Sequence, residues 1–561
     1  MSKLTIAHEL YRNTIQLSGL SILCIAAALS SQLYWLSSHG LLFQFGELGL
    51  RIPLALVVGG GLAWFFSILL RKGLLNPAFS LSGPIAQRFC VGTSIIVLTS
   101  MAAYPNHPFV TLGILLGYLS NLICFDRARK EPTQISPKFI HRLLCWGIFL
   151  VSVASIYFRE PALFHSPRFW AEDGMFFFVH FFNNRGPMEL FWGFEYYRLI
   201  HNLTAYIAVQ YVALAEAPLV FTLVAAFFTA IPIAIVSFGR SSYWEAVPKK
   251  ILIIALYLLV PFSQETWLNL NGISYTLTLV SALILMSQVT PANLWPYRAC
   301  LMFAGLSGVL SCLFTPFFGV RAWIKRDKEH LVQFLLLCVC SVIQFSVVFY
   351  SDYMTGEGID MRITPPSAET TVLVVWLRTL LTAVSLPATI YCANAFTSGL
   401  SFPDLYLQYS LIYGLITLGI LGFYVRGTCD LGVALLAGCF LLLAVFSTVF
   451  GVGGPGNTAF LHITNGMRYF YIPAVMVTLV MASPILCAAN PTLMLKKQIA
   501  IYGLMALIIH NGVDGYGYLN VYEQAWPKWE EQANRWLENP QHPIQIAPAG
   551  FKMHLTPPGD K

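Results

Sequence analysis

Apolar runs of about 17–25 residues, the length a helix needs to cross a bilayer, recur through most of this chain. A chain built this way has to solve its fold in lipid, where backbone polar groups must be paired internally, so helices are the default element. Only 11% of its 561 residues are charged, against about 25% in soluble domains. A water-soluble fold is therefore excluded. The net charge of +7 is no nucleic-acid signal, because Lys and Arg sit in short loops between apolar runs, where they set topology.

The first runs fall near 15–36, 52–70, 89–104 and 108–125, behind a short polar lead (Lys3, His8, Glu9, Arg12) that reads as the start of an uncleaved signal-anchor. Basic loops at 71–88 and 126–142 alternate with segments of little charge, which places the N-terminus and both loops in the cytoplasm. A fifth helix near 143–158 then runs outward and ends just before Arg168-Phe169-Trp170-Ala171-Glu172-Asp173-Gly174. The segment 159–217 is polar and aromatic, and its stretches 175–183 and 197–215 predict helices lying flat on the outer surface.

Further spans are expected near 218–238, 250–263, 273–288, 299–314, 331–350, 405–425, 430–450, 469–489 and 498–512. Keeping the cluster 321–328 inside requires a break at Thr315-Pro316, followed by a short returning helix. The stretch 371–395 carries Arg378 and is expected as a re-entrant or in-plane helix, or a hairpin. The prediction is an all-α polytopic membrane protein of about 13–15 transmembrane helices. Residues 1–140 form an accessory four-helix module, 141–512 a catalytic membrane domain, and 513–561 an outer-face tail that caps the surface. No internal repeat is found, and no Cys spacing suggests a disulfide framework or a metal site.

On this topology Glu172, Asp173, Arg198, Glu265, Asn269, Asn271, Asp352, Arg362, Arg378, His462 and Arg468 all gather at the outer face. An acidic pair there suits general-base deprotonation of an acceptor hydroxyl. A guanidinium suits neutralisation of a leaving phosphate, since its fork matches phosphate oxygens and stays charged. Structural alternatives stand beside these roles. Asp173 can be the N-cap of a helix starting near Gly174, Arg468 can anchor a helix end at the interface, and His165, His180, His201 and His462 read as interfacial histidines. Gly451-Val452-Gly453-Gly454-Pro455-Gly456-Asn457 lacks the Lys-Ser/Thr ending of a phosphate loop.

An acidic pair in the first large outer loop, followed by interfacial helices and many spans, resembles the GT-C superfamily of integral-membrane glycosyltransferases. The residues that carry the resemblance are the Arg168–Gly174 motif, Tyr196-Tyr197-Arg198, Gln264-Glu265-Thr266-Trp267-Leu268-Asn269-Leu270-Asn271, and Gly466-Met467-Arg468-Tyr469-Phe470-Tyr471. It covers about 143–561 and departs from the usual pattern in having four helices before the acidic loop. It implies a sugar donor on polyprenyl phosphate and a glycan or lipid acceptor, with reaction on the outer face of a bacterial cytoplasmic membrane. Asp173, or else Glu172, would be the base. Arg468 would hold the donor phosphate, with Arg378 or Arg362 assisting. Glu265, Asn269 and Asn271 would line the sugar or acceptor pocket, with His462 nearby, and Arg198 would orient Asp173. No cofactor is indicated, although the acidic pair with Asp352, Glu357 and Asp360 leaves a divalent metal open. An O-antigen-type polymerase or ligase is a rival, disfavoured by the short late outer loops. A lipid-linked sugar flippase is another, disfavoured by the clustering of charge at one surface rather than at the midplane.

Overall fold

The structure, a computed structural model, describes residues 137–557 apart from 262, 264, 356–365, 400–402, 429, 452–454, 463–464, 487–503, 506, 507, 510, 513–527 and 549. Two units make up the chain: Met1–Leu144 with Leu495–Val513, and Cys145–Met494 with Asp514–Lys561. Nearly all described residues belong to the second unit. The four expected N-terminal spans and Arg362 lie outside the described residues, as does most of the expected span 498–512.

Apolar runs make most of the long helices: α1 (Pro137–Arg159), α2 (Leu199–Tyr211), α3 (Ala217–Phe238), α4 (Val247–Leu259), α5 (Leu270–Met286), α6 (Leu294–Leu306), α7 (Thr315–Lys325), α8 (Lys328–Thr355), α9 (Ala368–Val375), α10 (Leu386–Gly399), α11 (Pro403–Thr428), α12 (Leu431–Phe450), α13 (Met467–Leu486) and, in the tail, the amphipathic α14 (Trp529–Glu538); α3 and α13 keep internal prolines, Pro232, Pro473 and Pro484. Strand is confined to two short hairpins, β1 (Gly193–Phe194) with β2 (Tyr196–Tyr197) and β3 (Ile544–Gln545) with β4 (Lys552–Met553). Among the described residues four helices are long and apolar enough to cross a membrane, at His141–Arg159, Leu214–Phe238, Lys328–Tyr350 and Leu431–Phe450. A fifth arises if Leu294–Leu306 and Val309–Lys325, bent by 116°, count as one span. Large apolar side chains face outward along α8, among them Leu335, Val339, Val342 and Phe349. Lipid rather than water suits such a surface, and the chain is a helical membrane protein.

The centre of the bundle is α5, every residue of which is buried. A helix apolar all round belongs inside its bundle, and α5 packs against α3, α6, α12 and α13. At 17 residues it is at the short end for a bilayer crossing, and α4 has only 13, a length that favours a buried helix over a full span. Ser and Thr on α5 return their hydroxyls to the preceding turn, as Thr278 does to the Ser274 carbonyl at 2.8 Å. That leaves a narrow, internally satisfied helix that neighbours approach closely.

The two ends of α5 are chemically opposite. At its C-terminal end, basic side chains close helix C-termini, where unpaired carbonyls and the helix dipole attract cations. Arg321 donates to the Ile284 carbonyl at 2.9 Å and also to that of Ser287. Lys250 donates to the Val236 and Ser237 carbonyls at the end of α3, at 3.0 and 2.7 Å, and Lys249 to Leu486 at the end of α13. The acidic motif meets the N-terminal end.

Two expectations are refined by the structure. The helix expected to break at Thr315-Pro316 breaks instead at Ser307-Gly308. A Cβ on Gly308 would stand 3.0 Å from Ser274 Cβ of α5, so the close approach explains the glycine. Thr315-Pro316 opens α7, because a proline in the first helical turn costs no hydrogen bond. The 371–395 stretch, expected as a re-entrant or in-plane helix or a hairpin, is helical in two pieces: α9 runs through a π-helical turn, Trp376–Leu381, to Val384, and α10 restarts after Ser385. Arg378 in that turn is buried in protein.

The segment 159–217 is a π-helical turn (Asp173–Phe178) with a short helix, the β1–β2 hairpin and α2. Leu203, Ile207 and Tyr211 form one exposed apolar face of α2, as an interfacial helix requires, while Ile200, Thr204 and Ala208 face inward. The tail folds onto this segment. Ala547 pairs with Trp170 as an isolated parallel bridge, its N–H donating to the Phe169 carbonyl at 3.1 Å. Trp529 packs edge-on against Phe169, with centroids 4.9 Å apart, and Trp536 against Phe182 at 5.7 Å.

Candidate functional site

Helix α5 begins with backbone N–H groups that no intrahelical carbonyl can reach. Asp173 takes two of them: Leu270 N–H donates to its Oδ2 at 2.9 Å and Asn271 N–H to its Oδ1 at 3.1 Å. Asn269 takes the next, accepting from Gly272 N–H at 2.7 Å. The carboxylate is thus a helix cap, but for a helix about a hundred residues away rather than for the turn it starts. Its residue is 1% exposed. Burial pushes the carboxyl up to about 8, against the downward pull of the Leu270 and Asn271 N–H groups and of Arg198.

The adjacent carboxylate has the opposite environment. Glu172 accepts from Arg468 Nη1 through Oε1 at 2.9 Å and from Asn271 Nδ2 through Oε2 at 3.3 Å. Its side chain is 21% exposed and that of Arg468 23%, so the pair borders open space. A partly exposed pair with one contact is worth on the order of 1 kcal/mol. Asn271 Oδ1 in turn accepts from Arg198 Nη1 at 3.1 Å, and Glu265 Oε2 accepts the Arg468 backbone N–H at 3.1 Å. One continuous chain of polar contacts therefore runs Arg198–Asn271–Glu172–Arg468–Glu265.

Aromatic rings flank this chain of contacts. The Arg198 guanidinium lies 4.3 Å from the Tyr196 ring centroid and that of Arg468 5.2 Å from Tyr469. Tyr275, one turn past Asn271 on α5, meets Tyr469 edge-on at 6.1 Å. Backbone strain gathers here as well. Ala171 (φ 23°), Glu195 (φ 61°) and Leu268 (φ 54°) hold left-handed conformations beside Glu172, Arg198 and Asn269, at a cost of about 1–3 kcal/mol each.

The sequence-predicted residues divide as follows. Glu172, Asp173, Arg198, Glu265, Asn271 and Arg468 come together. Asn269 adjoins them but is committed to structure, with Oδ1 on Gly272 and Nδ2 donating to the Glu265 carbonyl at 2.8 Å; it is a cap rather than a pocket wall. Arg378 stands behind the site, donating to the His462 carbonyl at 2.7 Å and lying 5.1 Å from the Phe470 ring. His462 contributes that carbonyl, and its residue is exposed. The favoured base, Asp173, is closed off, because both its oxygens already face N–H donors.

His201 is no interfacial histidine. It is fully buried against Phe177, ring centroids 4.7 Å apart, and burial beside Arg198 holds it well below the usual imidazole range.

Gln344 was not anticipated. Buried within the apolar α8, it accepts from Tyr197 N–H at 3.0 Å and donates to the Tyr197 and Gly305 carbonyls at 2.9 Å each. It thereby fixes the strand that leads directly into Arg198. A polar amide inside a candidate span was the available signal. Tyr275 gave no such signal, since an aromatic residue in an apolar helix is ordinary. Among the described residues no three His, Cys, Asp or Glu side chains are placed to share a metal ion. No family profile, curated protein or solved structure matches this chain.

Proposed function

We propose that the protein is a membrane glycosyltransferase of GT-C type, moving a sugar from a polyprenyl-phosphate carrier to a hydroxyl of a cell-envelope glycan or lipid. On this reading the site faces the outer side of a bacterial cytoplasmic membrane. The observation that carries it is the meeting of a part-exposed carboxylate with a guanidinium, Glu172 on Arg468, beside the paired rings of Tyr275 and Tyr469. Base and phosphate-binding cation are the two groups the transfer needs at one place.

Glu172, not Asp173, is the base. It takes the proton of the acceptor hydroxyl as that oxygen forms its bond to the anomeric carbon. The bond from the anomeric carbon to the phosphate oxygen breaks, and its electron pair leaves on polyprenyl phosphate, whose negative charge Arg468 offsets. Asp173 holds the N-terminus of α5, and with it Asn271, in register with Glu172. Arg198 orients Asn271. Tyr196, Tyr275 and Tyr469 supply ring faces and hydroxyls of the kind that receive a sugar. The basic caps at the far end of α5 favour the opposite, cytoplasmic side for that end.

The test is sugar transfer by purified protein from a short-chain polyprenyl-phosphate sugar. Glu172→Gln is expected to lower the rate by about 100-fold or more, the range general-base removal produces. Full transfer by this variant would remove Glu172 as the base, and absence of transfer by the wild type would end the proposal.

A further inference from the structure

The geometry points to a latch: in the free protein the Glu172 carboxylate occupies the place of a phosphate on Arg468, and arrival of the phosphate releases Glu172 from the guanidinium. This rests on the reading above that the site receives a lipid-borne phosphate.

Arg468 is built to change partners. Its backbone N–H is held by Glu265, so the residue keeps its place whatever its side chain binds. Among the described residues its guanidinium meets Glu172 through Nη1 at 2.9 Å and the Tyr469 hydroxyl through Nη2 at a long 3.4 Å. A guanidinium has five N–H donors, so this fork is far from saturated. A phosphate offers two oxygens in the spacing that a guanidinium prefers, whereas Glu172 presents one.

Glu172 is equally free to leave. Among the described residues its second oxygen is held only by Asn271 Nδ2 at 3.3 Å, near the outer limit for such a bond. The backbone beside it does not need to follow, because Asp173 is fastened to Leu270 and Asn271. The carboxylate can therefore rotate about its own side-chain bonds. Asn271 remains tied to Arg198 and keeps the pocket wall standing. While the pair is closed, the base is masked by a cation. Once the phosphate takes the cation, the base is bare, and the acceptor is deprotonated only when the donor is present.

The experiment uses full-length protein in detergent and two probes, a short-chain polyprenyl phosphate and inorganic phosphate. In the wild type, carbodiimide modification of Glu172, read by mass spectrometry, is expected to rise when polyprenyl phosphate is added. The same rise with inorganic phosphate assigns the trigger to the anion alone; a rise with the lipid only assigns it to the lipid-borne headgroup. Unchanged or reduced modification with both probes overturns the latch.

Binding gives the second arm. Removing the competing carboxylate by Glu172→Gln is expected to tighten polyprenyl phosphate binding by about fivefold, the equivalent of losing one partly exposed ion pair. Arg468→Ala should weaken it, and Glu172→Gln on top of Arg468→Ala should add nothing. Weaker binding by Glu172→Gln at an unchanged melting temperature also overturns the latch. Its failure is distinct from failure of the enzyme reading. Flat labelling with transfer abolished in Glu172→Gln removes only the latch, whereas a working latch with transfer intact removes only the base.

Discussion

Two neighbouring acids in one motif have separated roles because one faces a helix end and the other faces open space. Asp173 replaces water for two N–H groups at the start of α5, and an amide cannot serve both. Asp173→Asn is expected to cost about 1–3 kcal/mol, the penalty of leaving a buried donor unpaired. The pH dependence has a definite sign. The folded carboxyl, raised to about 8, binds its proton more tightly than the unfolded chain does. Its contribution to stability is thus complete below the ordinary carboxylate range and is lost as pH rises through about 8. Melting temperature should fall as pH rises from about 4 toward 8, and Asp173→Asn should flatten that slope; thermal melts across the range check both.

Among the elements, the tail does more than cover the surface. It pairs with the backbone directly before Glu172 at Ala547 and fills the groove beside it with Trp529 and Trp536. Gly174 records how close the approach is. A Cβ there would lie 2.8 Å from Phe169 Cβ and 3.0 Å from Ile546 Cδ1. Gly174→Ala is expected to cost about 1–3 kcal/mol by overpacking. Trp529→Ala should cost about 3–5 kcal/mol of docking, as aromatic truncation in a core does. The check is limited proteolysis, in which Trp529→Ala should release the segment after residue 528 far faster than wild type. A tail equally resistant in the variant would mean that it is held elsewhere.

At the scale of the whole molecule, α5 sets a direction, with helix-capping bases at one end and the acid–guanidinium site at the other. The topology inferred from loop charge then predicts which end faces out. In a cysteine-less background, Glu265→Cys is expected to react with an impermeant thiol reagent applied outside, and Arg240→Cys only after permeabilisation. Labelling in the reverse order would invert the protein in its membrane and move the site to the cytoplasmic side.

The helical, lipid-embedded class of this protein was legible in its sequence, because hydrocarbon imposes internal backbone pairing and apolar surface on any chain that enters it. Local patterning also located the bulk of α3, α8 and α12, and it drew attention to Glu172-Asp173, Arg198, Glu265, Asn271 and Arg468 through the oddity of charge beside membrane. It misplaced the break at Gly308, which depends on how near Ser274 comes. Nor could it divide the labour of the acidic pair. Adjacent carboxylates look alike along a chain, and only packing decided that one meets the N–H groups of a helix 97 residues further on while the other meets a guanidinium 296 residues away. Solvent access and electrostatics at each oxygen come from those distant partners, so they belong to the tertiary structure alone.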